Sequence, residues 1–404
     1  MPSFEEARRI VLDQVSPLGS EQAPLVDAVS RVLAEDVVAP WDLPRWDNSA
    51  MDGYALRAAE AAAEGGLAVV GYIPAGGQAG GPVAPGEAVK ILTGAPLPPG
   101  ADAVAPVEHA EERAGRVFVT SPVRPGDHVR RRGEDVHAGE TVLRAGTAVT
   151  PAEVSLLASF ARLAVPVVRR ARVAILSTGD ELVEPGEPLA PGRIYNSNGL
   201  ALAAAVKQVG GEPTLLGIAR DDRAALRRLL AEGLRADALV TSAGVSMGDR
   251  DLVREVLAEL SVRQVFWKVD VKPGRPTAFA LHGTTPVFSL PGNPVSTLLM
   301  FEEFVRPALL RMMGHASVLR PTVKAVFREA APNKAGRVTL LRVRLARRDG
   351  QLQASVAGSQ ETGILKTSLE ADGIAVIPAD WGTIRADVPV DVQVLRPLDG
   401  VEAS

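Results

Sequence analysis

Apolar positions along this chain change their spacing several times, and each change marks a candidate boundary. Phe4, Ala7, Ile10 and Val11 recur at helical spacing. They follow Ser3-Phe4-Glu5-Glu6, a capping box whose Ser hydroxyl and Glu carboxylate can satisfy orphan N–H groups reciprocally. Leu25, Val29, Val32 and Leu33 predict a second amphipathic helix, and Leu156, Leu157 and Phe160 a third. The third starts at Thr150-Pro151-Ala152-Glu153, with Pro at the first helical position. These pieces are expected to form one discontinuous helical domain, residues 1–43 and 140–170. The interruption, residues 44–139, holds short strand-like segments at 67–71, 88–92, 103–106 and 117–120 between Gly/Pro turns, and reads as an inserted β domain.

From 171 to 314 strand-like and helical patterns alternate. Strands are expected at 172–177, 213–219, 237–242, 262–269 and 286–290, and helices at 199–209, 222–234, 252–260 and 295–310. Such alternation predicts a doubly wound, mainly parallel α/β domain. Sheets of that kind bind ligands in the crevice at the carboxyl ends of their strands. Residues 315–404, alternating at 338–345 and 352–356, predict a small C-terminal β domain. The fold class is therefore multidomain α/β plus β, consistent with 404 residues at roughly 100–200 per domain.

Composition narrows the function classes. Net charge is −4 and no basic run exceeds Arg130-Arg131-Arg132, so the basic face that nucleic-acid binding requires is missing. Without cysteine there is no disulfide framework, thiolate nucleophile or Cys-based zinc site. The five histidines are scattered without metal-ligand spacing, which leaves a hard cation held by carboxylates and phosphate as the expected metal. No apolar run approaches the ~20 residues of a membrane span. The first fourteen residues lack the apolar core of a signal peptide, so a cytoplasmic protein is expected.

Four loops at strand ends of the α/β region could carry chemistry. Ser177-Thr178-Gly179-Asp180-Glu181-Leu182 follows an apolar strand; it reads equally as a capped turn or as a carboxylate, Glu181, at a crevice mouth. Residues 241–251 (TSAGVSMGDRD) form a small-residue loop before a helix, where backbone N–H groups around Gly244 and Ser246 suit a phosphate. Asp249 and Asp251 fit such a site chiefly with a divalent cation, and fit equally as helix caps. Lys268 and Lys272 are two of only seven lysines in a chain that otherwise uses arginine. A compact ammonium suits a small tetrahedral anion better than a planar fork does. Pro291-Gly292-Asn293-Pro294 is a rigid loop before a helix, a plain turn or an oxyanion cradle.

Taken together these segments resemble those of the molybdopterin molybdenumtransferases. The resemblance rests on residues 47–55 (DNSAMDGYA), 93–104 (TGAPLPPGADAV), 130–135 (RRRGED), 177–182 (STGDEL), 272–276 (KPGRP) and 290–296 (LPGNPVS), in order, from near residue 3 to about 315. It implies an elongated homodimer of four-domain protomers. It implies a reaction in which adenylylated molybdopterin and molybdate yield molybdenum cofactor and AMP, with Mg2+ as the cation. By similarity, Asp52, Thr93 and Asp135 face the α/β domain of the other protomer, with Glu181, Asp221 and Asp251 on the α/β side. Lys268, Lys272, Pro291 and Pro294 are implied to line the anion site, and Arg342 to reach it.

Asp251, Glu181 and Asp249 are the metal candidates, and Asp221 also stands where a helix N-cap belongs. Ala243 replaces a usual Gly, Arg275 a usual Lys, and residues 358–362 (GSQET) depart from the family pattern, leaving Thr362 unassigned. Alternatives are the preceding step, adenylylation of molybdopterin, and a non-catalytic scaffold of the gephyrin type. Further partner candidates are that step's adenylyltransferase and the molybdoenzymes that accept the product.

Overall fold

The structure is a computed structural model that describes residues 1–78, 80–220, 222–243, 252–348 and 350–397. The chain forms two compact units, one of residues 1–34, 146–150 and 164–404, the other of residues 35–145 and 151–163.

The smaller unit is built on a six-stranded sheet ordered Ala103–Pro106, Gly53–Leu56, Glu87–Ile91, Leu67–Ile73, Arg116–Val119, Ala110–Arg113. Only Leu67–Ile73 and Glu87–Ile91 pair in parallel. Alternate residues feed two cores: Tyr54, Leu56, Ala88 and Ala105 on one face, Ala55, Val89, Ile91 and Val104 on the other. Gly53–Leu56 is buried throughout, so it lacks the polar alternation that would have revealed it. Its neighbour approaches so closely that a Cβ on Gly53 would lie 2.0 Å from the Ala105 carbonyl oxygen.

In the larger unit a six-stranded sheet runs Glu212–Ala219, Arg172–Thr178, Ala238–Ser242, Thr285–Leu290, Ala278–His282, Arg263–Phe266. The first four strands are parallel, Ala278–His282 runs antiparallel to them, and Arg263–Phe266 pairs antiparallel with Ala278–His282. Val173, Ile175 and Val240 pack with helices Phe4–Asp13 and Ser197–Gln208 on one face. Ala174, Leu176 and Leu239 pack with Arg223–Gly233 and Leu252–Glu259 on the other. Both faces are covered, as a doubly wound sheet requires. The expected long helix is continuous but passes through a π segment at Phe301–Val305.

The C-terminal strands Thr322–Phe327, Val338–Arg348, Gln351–Val356, Gly373–Ile377 and Pro389–Val394 pair in a closed ring around Phe327, Val343, Ala354 and Val392. Val271–Lys272 adds to this ring alongside Val338 and Thr339.

Two expectations change. The capping box of Ser3 and Glu6 forms as expected, but residues 25–33 are not helical. Ser20–Pro24 pairs with Ala164–Val168, Ser30 takes a positive φ of 65°, and Val32 and Leu33 bridge to Ala148 and Val167. Leu25 is buried in a turn, Val29 is exposed, and only Val32 and Leu33 sit at β-bridges, so the helical spacing here reflects no common face. Nor do the remaining helices share one body, since Phe4–Asp13 and Pro151–Ser159 belong to different units.

Candidate active site

Strands Arg172–Thr178, Ala238–Ser242 and Thr285–Leu290 run parallel, so their carboxyl ends emerge on one edge. A hollow of about 680 Å³ opens there, lined by Glu181, Lys268, Arg275, Pro291 and Pro294 among others. Asn198 Nδ2 ties its walls, donating to Ser242 Oγ at 2.9 Å and to the Gly292 carbonyl at 2.8 Å. Thr297 Oγ1 donates to the Pro291 carbonyl at 2.6 Å, fixing the proline loop from behind. Asn196 Oδ1 accepts from Ser177 Oγ at 2.8 Å and caps the helix through Gly199 N at 3.1 Å. Neither asparagine stood out beforehand. Their signal was Asn196-Ser197-Asn198 at a helix start, one asparagine more than a cap needs.

Lys272 lies elsewhere than expected. Lys268 lines the strand-end hollow, whereas Lys272 lines a second hollow of about 630 Å³ with Arg328, Thr339, Gln360 and Thr362. The pairing of Lys272 with Thr339 draws it toward the C-terminal ring. Gly274, two residues beyond Lys272 and at φ 104°, is packed so tightly that a Cβ would lie 2.3 Å from Met300 Sδ. The two hollows adjoin where Asn293 Nδ2 donates to Thr362 Oγ1 at 2.9 Å and Val295 N donates to the Thr362 carbonyl at 3.2 Å. Thr362, unassigned from sequence, thus stands at their junction.

Arg342 is buried, its Nη2 donating to the Ser359 carbonyl at 2.7 Å. Burial pushes its pKa down, and among the described residues no carboxylate pairs with it. It borders a third hollow, with Val295, Leu298 and Ile374, rather than the one holding Lys268. Asp221, Gly244, Ser246, Asp249 and Asp251 lie outside the described residues. The N-cap expected near Asp221 is made by Asp222, which accepts from Ala224 N and Ala225 N. Among the described residues no three His, Asp or Glu side chains are grouped to hold a metal ion.

In the smaller unit Asp52 Oδ1 accepts from both Thr93 Oγ1 and Thr93 N at 2.7 Å. The hydroxyl first, then the backbone N–H, holds this exposed carboxyl below its ordinary pKa. The arginine triplet is largely neutralised. Arg131 pairs with Asp47 at 2.7 Å and Arg132 with Asp42 at 2.5 Å. Asp135 donates its N–H to the Leu43 carbonyl at 3.0 Å and borders a hollow of about 700 Å³ with Asn48, Gly94 and Arg130.

Residues 2–161 match the family described as MoeA N-terminal region (domain I and II), 174–311 the probable molybdopterin binding domain, and 324–395 the MoeA C-terminal region (domain IV). A molybdopterin molybdenumtransferase 2 of Mycobacterium tuberculosis is 38% identical over 403 residues, covering 97% of this chain and 99% of that protein. The chain belongs to the molybdopterin molybdenumtransferase family. Another member, from Haemophilus influenzae, is 34% identical over 406 residues, covering 99% of this chain and 100% of its own. A molybdopterin biosynthesis MoeA protein of Pyrococcus horikoshii OT3 shares the fold at a TM-score of 0.81 and 32% identity, covering 98% of this chain and 100% of its own. Within the family frame, the strand-end hollow falls in the match to the molybdopterin binding domain, and Arg342 and Thr362 in the match to domain IV. Among the described residues no helix is long and apolar enough to cross a membrane.

Proposed function

We propose that this enzyme inserts molybdenum from molybdate into adenylylated molybdopterin, cleaving the pyrophosphate link and releasing AMP and molybdenum cofactor. One observation carries the reading: Glu181, Lys268 and Arg275 border a single hollow at the strand ends, next to a second that holds Lys272. Cleaving a polyanionic link calls for charge neutralisation more than for a covalent nucleophile. Lys268 and Arg275 bind phosphate oxygens; Gly244 and Ser246, the other phosphate candidates, lie outside the described residues. Lys272 holds the oxyanion in the adjoining hollow, and Pro291 and Pro294 keep the wall of the strand-end hollow rigid. Mg2+ is ordinarily held by one or two carboxylates together with substrate phosphates, so the carboxylate of Glu181 beside this hollow fits such an ion; Asp249 and Asp251, the other metal candidates, lie outside the described residues. When bound, Mg2+ supplies further neutralisation of the phosphates. Asp52, kept ionised by Thr93, orients the attacking oxygen, with Asp135 beside it in that role; Asp221 positions substrate.

In this reading the protomer has four domains and works as a cytoplasmic homodimer. Asp52, Thr93 and Asp135 of one protomer serve the hollow of the other. A defined reaction with adenylylated molybdopterin, molybdate and Mg2+ should release AMP, and chelation of the cation should stop it. ATP consumption in place of AMP release would assign the chain to the adenylylation step instead. Mixing Asp52→Asn with Glu181→Gln protein should restore about a quarter of wild-type activity, because random pairing gives half mixed dimers with one intact site each. No restoration would overturn the shared-site arrangement.

A further inference from the structure

Away from the strand-end hollow, the larger unit holds a cavity of about 390 Å³ between the turn at Val29–Arg31, residues 168–170, the end of helix Ser197–Gln208 and helix Arg306–Met312. Arg31, Arg170, Lys207, Arg306 and Arg320 line it together with His315, and no Asp or Glu is among its lining residues. Two carboxylates pair with these cations from outside the lining. Glu302 holds Arg320 at 2.9 Å and Arg306 at 3.7 Å, and Glu21 pairs with Arg31. Five permanent cations against two carboxylates is a pronounced local excess in a chain of net charge −4.

Three of these guanidinium groups are fixed by backbone carbonyls. Arg31 Nη2 donates to Val168 O at 2.9 Å, Arg170 Nη1 to Gly210 O at 2.8 Å, and Arg306 Nη1 to Val318 O at 2.8 Å. Anchoring in advance removes much of the ordering cost of gripping a ligand. Lys207 has a further reason to be there, since the last turn of a helix favours a cation. That accounts for one charge and leaves the arginines. Burial and then Arg306 push His315 below its ordinary pKa, and burial and then Arg320 do the same to Arg306. The cluster is thus electrostatically costly as it stands, and a bound anion would relieve it.

We propose that this cavity binds a compact, multiply charged oxyanion of the phosphate class, at a site separate from the candidate active site. The arginine forks match phosphate oxygens bidentately, and the volume lies near the lower end of the roughly 300–1,000 Å³ usual for ligand pockets. Inorganic pyrophosphate is the probe, and the readout is the titration of the His315 ring by NMR, assigned with His315→Gln. Binding should move that titration to higher pH, because an anion stabilises the imidazolium. Lys207→Glu, a change at an exposed position, combined with Arg170→Gln should weaken the response about tenfold or more. Lys207→Glu alone should give a smaller loss, which guards against misfolding of the pair. A Lys268→Gln/Lys272→Gln protein should respond like wild type. An unmoved His315 titration, or an equal response in all variants, would overturn the proposal.

Discussion

The two ends of the α/β sheet treat charge in opposite ways. At the amino ends of its strands, Asp237 sits between two arginines. Arg169 grips it bidentately at 2.6 and 2.7 Å, and Arg172 adds its backbone N–H at 2.9 Å and its side chain at 3.2 Å. Burial pushes the Asp237 carboxyl up, but these hydrogen bonds outweigh it and hold the group far below its usual range. The charge of Asp237 is answered by both arginines. At the carboxyl ends Glu181, Lys268 and Arg275 face a hollow whose walls are held by neutral groups, chiefly Asn198. At one end the charged groups pair within the protein and serve stability; at the other they border a hollow.

That contrast can be broken experimentally. The largest effect is expected at the carboxyl end and in the carboxylate of the smaller unit. Glu181→Gln and Asp52→Asn should each lower AMP release by roughly 100-fold or more, the scale seen when one preorganised electrostatic group is removed. Their unfolding midpoints should stay at the wild-type value. Full activity in both variants would refute the roles given to these side chains.

Asp237→Asn should do the reverse. Loss of one member of a buried ion pair is expected to cost about 3 kcal/mol in denaturant unfolding, the lower end of the usual range because both arginines are partly exposed, with kcat for AMP release unchanged. Because the folded pKa of Asp237 is depressed, its contribution is present in full above the ordinary carboxylate value of 3.8 and is lost as pH falls below it. The stability gap between wild type and Asp237→Asn should therefore be constant near neutrality and narrow in acid. A gap that widened in acid would show that the sign is wrong.

Asn198→Ala should give the smallest change. Two hydrogen bonds at about 1 kcal/mol each are lost, which should raise KM several-fold through a looser wall while kcat falls less.

The strands with one face toward solvent or with long apolar runs were readable from pattern alone, as Arg172–Thr178 and Val338–Arg348 show. Gly53–Leu56 and Ala278–His282 were not, because they are short and buried on both faces, so neither alternation nor length marks them. Residues 25–33 misled in the opposite sense, because a turn, an exposed Val29 and two β-bridges together fell at helical spacing. In the site, Glu181, Lys268, Pro291 and Pro294 were visible as odd residues at strand ends. Asn198 and Thr362 acquire meaning only through Ser242, Gly292 and Asn293, which are remote in sequence.

Local chemistry in the chain was enough to determine where helix Phe4–Asp13 begins, that strands and helices alternate after residue 171, and which loops carry the charged groups. Those features depend on contacts between near neighbours, and near neighbours can be read in order. Tertiary structure alone decided that Lys268 and Lys272 face different hollows, that Arg131 and Arg132 are spent on Asp47 and Asp42, and that five cations gather around His315. Each of these is a pairing or an exclusion between segments tens to hundreds of residues apart, fixed by strand register and packing rather than by any local preference.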